Sequence, residues 1–265
     1  MSQLAAAPLR QRLAQREPLI GTFVIELPTR ACVEAHAAAR YDFVVLDLEH
    51  SDVTFDRLSM LVACARAAGV ASIVRLEAGG LSSMTRVLDM HPDGVMVPGV
   101  SSAAEARAAV RLARFAPVGQ RGLAPLVRHE TVVGRDYARL DDHVAVVLQV
   151  EGADAVANAA AIASVEGVDA AFVGPYDLSQ ALGVPGELTH PTVLDAGARV
   201  ARAVLPHAAL GAYVSGADGA RPWRDVGASL FAHGTDGQLL LQACRSARAS
   251  WGSPSEVLDD NPGGT

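Results

Sequence analysis

Eight short apolar runs, with helical stretches between them, constrain this chain more than any other feature of its sequence. The runs lie at Ile20–Val24, Phe43–Asp47, Ser72–Arg75, Gly94–Pro98, Val144–Glu151, Ala170–Gly174, Gly211–Ser215 and Ser229–His233. The segments between them, such as Phe55–Ala68, Ala103–Phe115, Ala153–Val165 and Thr192–Leu205, are rich in Ala and carry apolar residues at i, i+3, i+4 spacing. Strands that read as unbroken apolar runs are buried on both faces, which is the condition of a parallel sheet under helices. Eight such strand–helix units are the count of a closed α/β structure, the (β/α)₈ or TIM barrel. An open doubly wound sheet uses the same units but places a Gly-rich turn after its first strand. Here Gly21-Thr22-Phe23 lies inside that strand.

One barrel domain over residues 1–251 is therefore expected, followed by a disordered tail over 252–265, whose sequence GSPSEVLDDNPGGT is polar and rich in Pro and Gly. The stretch Ala116–Asp142 breaks the rhythm and is too long for an ordinary connection. It is expected to cover the barrel mouth or to meet a neighbouring subunit.

Composition narrows the chemistry. Half of the residues are hydrophobic but only 5% are aromatic, so the core must be built from Ala, Val and Leu. A net charge of −7 opposes a nucleic-acid partner, which needs a basic face. No apolar run is long enough to span a bilayer, and the first residues lack the apolar core of a signal peptide. Cys32, Cys64 and Cys244 show no CxxC spacing and read as reduced thiols of a cytoplasmic protein. All 22 basic residues are Arg. Without lysine, Schiff-base aldolase chemistry, pyridoxal chemistry and lysine-dependent phosphate chemistry are excluded.

In a (β/α)₈ barrel the chemistry sits at the C-terminal ends of the strands. Here the second strand runs into Asp47-Leu48-Glu49-His50, the third ends in Arg75, the fifth in Gln149 and Glu151, and the sixth is followed by Pro175-Tyr176-Asp177. Glu151 and Asp177 would stand on adjacent strand ends and form a hard oxygen site for a divalent cation; helix capping accounts for them equally well. Arg75 ends a buried strand and needs an anion, and spacing alone favours a salt bridge to Asp47 or Glu49. His50, flanked by acids, suits a base or a metal ligand. Other histidines have no spaced partners, and Cys32 and His36 share a helical face as packing residues.

The same residues carry a resemblance. The blocks FVVLDLEH (43–50), SIVR (72–75), DGVMVPGVSSAAEA (93–106), RFAPVGQRG (114–122), VVLQVEG (146–152), GVDAAFVGPYDLSQALG (167–183) and HPTV (190–193) are similar, in order, to those of the HpcH/HpaI family of class II pyruvate aldolases. Its best-known members cleave 4-hydroxy-2-oxoheptanedioate and 2-keto-3-deoxy sugar acids.

The resemblance implies a phosphoenolpyruvate/pyruvate-type barrel and a metal-dependent aldolase that works through a pyruvate enolate. Glu151 and Asp177 would hold Mg²⁺, Mn²⁺ or Co²⁺, and Glu49 would bind water beside the metal. Arg75 would stabilise the enolate, and His50, paired with Asp47, would move protons. Gln149, Gly174, Pro175, Tyr176 and Phe23 would contact substrate. The partners implied are pyruvate or another 2-oxo acid and an aldehyde, in a homo-oligomer (hexamer or trimer) exchanging the helix near Gln238–Ser250. Tyr176 and Phe23 depart from residues common in the family, which leaves the aldehyde open. Competing readings are a citryl- or malyl-CoA lyase, a specialised pathway enzyme using the same enolate, and a non-catalytic barrel.

Overall fold

Eight parallel strands close on themselves in chain order, β1 pairing with both β2 and β8. They are β1 (Leu19–Val24), β2 (Phe43–Asp47), β3 (Ala71–Arg75), β4 (Gly94–Val97), β5 (Ala145–Gln149), β6 (Ala170–Val173), β7 (Ala209–Val214) and β8 (Leu230–Thr235). The computed structural model describes residues 7–124, 126–127 and 138–251. Its helices are α1 (Leu9–Ala14), α2 (Arg30–Ala38), α3 (Phe55–Ala68), α4 (Met84–Leu88), α5 (Ala103–Ala113), α6 (Ala138–His143), α7 (Ala153–Ala157), α8 (Ala159–Ala163), α9 (Pro175–Ala181), α10 (Pro191–Val204), α11 (Ala217–Asp225) and α12 (Asp236–Ser250).

Because side chains alternate across a strand, each strand feeds two cores. The outward residues, among them Val44, Leu46, Val74, Val95, Val146, Leu148, Ala171 and Leu210, pack against the helices. The inward ones, Leu19, Phe23, Phe43, Val45, Ile73, Met96, Val147, Phe172, Tyr213 and Leu230, fill the barrel. Four aromatics inside the barrel, Phe23, Phe43, Phe172 and Tyr213, need room, and at two of them a glycine makes it. Gly21 supplies it for Phe43, and Gly211 for Phe172, whose ring lies 2.6 Å from where a Cβ would stand. Helix α1 closes the N-terminal end, with Leu9 and Leu13 buried in the same inner core.

The expected helix over Ala153–Val165 is divided at Asn158, which takes φ −98° and ψ 6° between α7 and α8. Its side-chain amide leaves the helix to donate to Ser101 O at 2.9 Å. The described ends of Ala116–Asp142 do not cover the mouth. Arg114, just before them, donates to Asp141 O and Val144 O and pairs with Asp169, so this region is pinned beneath the starts of β5 and β6. A segment that joins a helix to the next strand must enter at the N-terminal face. Residues 125 and 128–137, with His129, lie outside the described residues, as does the expected tail 252–265. Among the described residues no helix is long and apolar enough to cross a membrane.

Candidate active site

The inward parity of the strands decides which side chains reach the mouth. Counting by twos from Phe43 through Val45 leads to Asp47, from Ile73 to Arg75, and from Val147 to Gln149. Asp47 and Arg75 stand side by side in the β2–β3 register. The Arg75 guanidinium grips Asp47 with two parallel bonds, Nε to Oδ1 and Nη2 to Oδ2, both at 2.7 Å. Such a fork is rigid as well as strong. Arg75 Nη1 lies 3.1 Å from Glu49 Oε2, and its Cζ sits 4.7 Å from the centre of the Phe23 ring.

Asp47 also accepts the backbone N–H groups of Glu49 (3.0 Å) and His50 (3.1 Å). Both of its oxygens are thereby occupied, and it is 1% exposed. The expected pairing of Asp47 with the His50 ring is not the geometry found. The His50 side chain is 63% exposed, and its Nε2 lies 3.8 Å from Glu49 Oε2 instead. Burial raises the Glu49 carboxyl above its usual range, against the opposing pull of Arg75 and His50.

On the β5–β6 side Glu151 is differently placed. Its Oε1 accepts from Gly99 N at 2.9 Å and its Oε2 from Gln149 Nε2 at 3.1 Å. A Cβ on Gly174 would fall 2.6 Å from Glu151 Oε2, so the glycine at the end of β6 makes the space this carboxylate occupies. Asp177 lies in the first turn of α9. Burial, then the charge of Asp177, push the Glu151 carboxyl up to about 7. Neither acid forms an ion pair among the described residues.

A cavity of about 250 Å³ opens at this end of the barrel. Its wall brings together eight of the expected residues, namely Phe23, His50, Arg75, Gln149, Gly174, Pro175, Tyr176 and Asp177. Asp177 also lines an adjoining cleft with Glu151, while Asp47 and Glu49 stand behind Arg75. The sequence reading missed Ile25, Phe172, Tyr213, Thr235 and Gln238 in the same wall. The Tyr213 hydroxyl donates to Gln238 Oε1 at 2.7 Å, and burial followed by the neighbouring Tyr176 phenol pushes it up to about 12. The strand-end rule applied to β8 would have found Thr235, which terminates it, whereas Tyr213, one residue before the end of β7, reads as core.

Among the described residues no three His, Cys, Asp or Glu side chains converge as a metal-binding group. Two carboxylates without a cation do converge, and beside them Gln149 Oε1 is buried with no hydrogen-bond partner. An all-oxygen donor set with positions left for water or substrate suits a hard divalent cation and not a closed structural site. The residues present therefore fit the expected ion.

A closed parallel barrel with a guanidinium and a carboxylate pair at the C-terminal ends of its strands defines a barrel enzyme. Residues 20–243 match the HpcH/HpaI aldolase/citrate lyase family, and the chain belongs to it. Similar proteins include a hydroxypyruvate/pyruvate aldolase of Paraburkholderia phytofirmans, 33% identical over 91% of this chain and 95% of that protein. A 2-keto-3-deoxy-L-rhamnonate aldolase of Escherichia coli is 32% identical over 73% of each chain. The crystal structure of a member of the same family from Burkholderia cenocepacia superposes with a TM-score of 0.86 at 35% identity, covering 92% of this chain and 99% of that one. The protein is accordingly an aldolase, a carbon–carbon lyase.

Proposed function

We propose that this aldolase is of the divalent-metal-dependent class II type and reversibly cleaves a 4-hydroxy-2-oxo acid to pyruvate and an aldehyde through a pyruvate enolate. The observation that carries the reading is the uncompensated pair Glu151 and Asp177 beside a guanidinium held rigid by Asp47 and Glu49. Cleavage next to a ketone leaves negative charge on the ketone oxygen, and with no lysine in the chain an amine cannot receive it. Mg²⁺, Mn²⁺ or Co²⁺ held by Glu151 and Asp177 would act as a Lewis acid on the 2-oxo acid.

The chain's own groups do the rest. Asp47 fixes two nitrogens of Arg75 and Glu49 the third, so the remaining N–H groups point at the ketone oxygen without reorganising. Glu49 also binds water beside the metal position. The first turn of α9 presents the N–H groups of Tyr176 and Asp177, which have no intrahelical acceptor, to the substrate carboxylate; Pro175 lacks one. Gln149 orients Glu151 through its amide and offers its unpaired oxygen to the site. His50, exposed at the rim, moves the proton at the pyruvate methyl through water, with Glu49 as its nearest acid. Phe23 and Tyr176 bound the aldehyde end.

The assembly is a homo-oligomer, a hexamer or trimer, in which α12 packs on a neighbour. Leu240 and Leu241 are each 50% exposed and Trp251 67%, and such a surface calls for a partner. Sedimentation of wild type would sediment as a monomer if this is wrong. Reduced, unpaired cysteines fit a cytoplasmic setting.

The test of the function is deuterium exchange into the methyl group of pyruvate, followed by NMR. Exchange is expected with Mg²⁺, Mn²⁺ or Co²⁺ and is abolished by EDTA. No exchange from folded protein with any of these ions would overturn the reading.

A further inference from the structure

We propose that the aldehyde taken by this site is neutral and apolar, an alkyl or aromatic aldehyde, and that Tyr213 is the residue that selects it. The proposal rests on the pyruvate-aldolase reading above. The polar groups of the cavity are Arg75, Asp177, His50 and Gln149, with Arg75 packed over the Phe23 ring. Phe23, Ile25, Phe172, Tyr176 and Tyr213 make the apolar part of the wall, which Gly174, Pro175, Thr235 and Gln238 complete. These rings form one continuous surface. Phe23 meets Phe172 edge-on at 6.1 Å, Phe23 lies 6.3 Å from Tyr213, and Tyr213 meets Tyr176 edge-on at 5.5 Å.

Tyr213 sits at the centre of this surface, and its hydroxyl proton is already donated to Gln238 Oε1, an oxygen that also accepts from Thr235 N. The ring is thereby locked in place, and its hydroxyl has no proton left for a substrate. Among the described residues Arg75 is the one arginine of the wall, and it is already held by Asp47 and Glu49. An aldehyde bearing a carboxylate would meet no arginine that is not already paired. One bearing several hydroxyls would lose hydrogen bonds to water that the rings cannot replace.

The step itself is balanced. The pyruvate C3 proton leaves to a base, C3 bonds the aldehyde carbon, and the aldehyde oxygen takes up a proton. An apolar pocket discriminates against an added hydroxyl by up to about 10²-fold. The expected result is that kcat/KM for propanal and benzaldehyde exceeds that for glyceraldehyde and succinic semialdehyde by at least about tenfold.

The experiment compares these four aldehydes with the metal-loaded full-length enzyme and pyruvate, alongside deuterium exchange into pyruvate alone. Tyr213→Phe should keep the order of preference, because the ring stays. Tyr213→Leu should lower the benzaldehyde-to-propanal ratio about tenfold, because the ring surface is interrupted. Normal exchange with glyceraldehyde or succinic semialdehyde used as well as propanal would overturn the proposal and leave the aldolase reading standing. So would an unchanged ratio in Tyr213→Leu, or loss of the preference in Tyr213→Phe. Absence of exchange in the wild type would remove the aldolase reading and this proposal with it.

Discussion

Asp47 and Glu49, at the end of β2, share one guanidinium, and Asp47 adds two backbone N–H bonds to that pairing. Glu151 and Asp177, at the ends of β5 and β6, share no cation among the described residues. Both pairs consist of carboxylates at the rim of one barrel, yet their surroundings ask for opposite things. The first pair has its counter-charge built into the chain, so it can hold Arg75 in a fixed direction at all times. The second repels itself, and burial adds to the cost, so Glu151 favours its protonated form up to about pH 7. A compensated pair positions a residue, whereas an uncompensated pair is a place for a cation that arrives from outside.

Removing Arg75 should produce the largest effect. Arg75→Ala deletes the donor aimed at the developing oxyanion and leaves Asp47 buried without its partner. Pyruvate methyl exchange is expected to fall by on the order of 10²–10³-fold, and unfolding in denaturant should reveal a loss of about 3–5 kcal/mol. Exchange at the wild-type rate would remove Arg75 from the chemistry. Full stability would show that Asp47 does not depend on it.

Glu151→Gln probes the other pair, and here the sign of the stability change reverses. With its carboxyl raised from an ordinary 4.5 to about 7, Glu151 binds its proton more tightly in the folded state than in the unfolded one. Its contribution to metal-free protein is therefore present below about pH 4.5 and is lost as the pH rises towards about 7. Metal-free wild type should lose melting temperature over that interval, and Glu151→Gln should flatten the loss. Calorimetry should meanwhile show metal affinity lowered by more than the 10–100-fold typical of an indirect neighbour. A variant that binds metal normally would show that Glu151 is no ligand. A pH dependence like that of wild type would show that the pair is compensated after all.

Gly174→Ala makes the same point more gently. The backbone there, φ −90° and ψ 94°, accepts alanine, so the fold should persist. The new Cβ, 2.6 Å from Glu151 Oε2 and 3.6 Å from Gln149 Nε2, must displace the carboxylate. Metal affinity is expected to fall about 10–100-fold, with the far-UV spectrum unchanged. Unaltered affinity would mean that the position of Glu151 is not set by this glycine.

How much of this was legible in the sequence depends on which kind of information each part needs. The strands were, because burial on both faces writes them as uninterrupted apolar runs; Phe43–Asp47 and Phe55–Ala68 coincide with β2 and α3 as found. The charged ends of β2, β3, β5 and β6 were legible because a polar group after such a run has few reasons to be there. The direction of the Arg75 fork was not, since Asp47 and Glu49 are both within its reach and only packing places the shorter acid behind it. Tyr213 and Gln238 were hidden for another reason. An aromatic at the end of a strand looks like core, and the hydrogen bond that locks it comes from a helix that starts 23 residues later. The break at Asn158 depends on a carbonyl, Ser101 O, on the preceding βα unit, which no local pattern encodes.

The smallest expected effect belongs to His50, and it sharpens the comparison from the compensated side. If Asp47 had oriented the imidazole, loss of His50 would have disrupted that pair as well as the proton path. In the structure Asp47 touches only the His50 backbone, and that bond survives any side-chain change. The ring is 63% exposed, near Glu49 but not bonded to it at 3.8 Å. His50→Ala should therefore leave both stability and metal affinity unchanged. It should slow pyruvate exchange by up to about 10²-fold, at the low end for general base catalysis because water can substitute in part at an open rim. Exchange at the wild-type rate would give the proton transfer to Glu49, the carboxyl that burial has already raised.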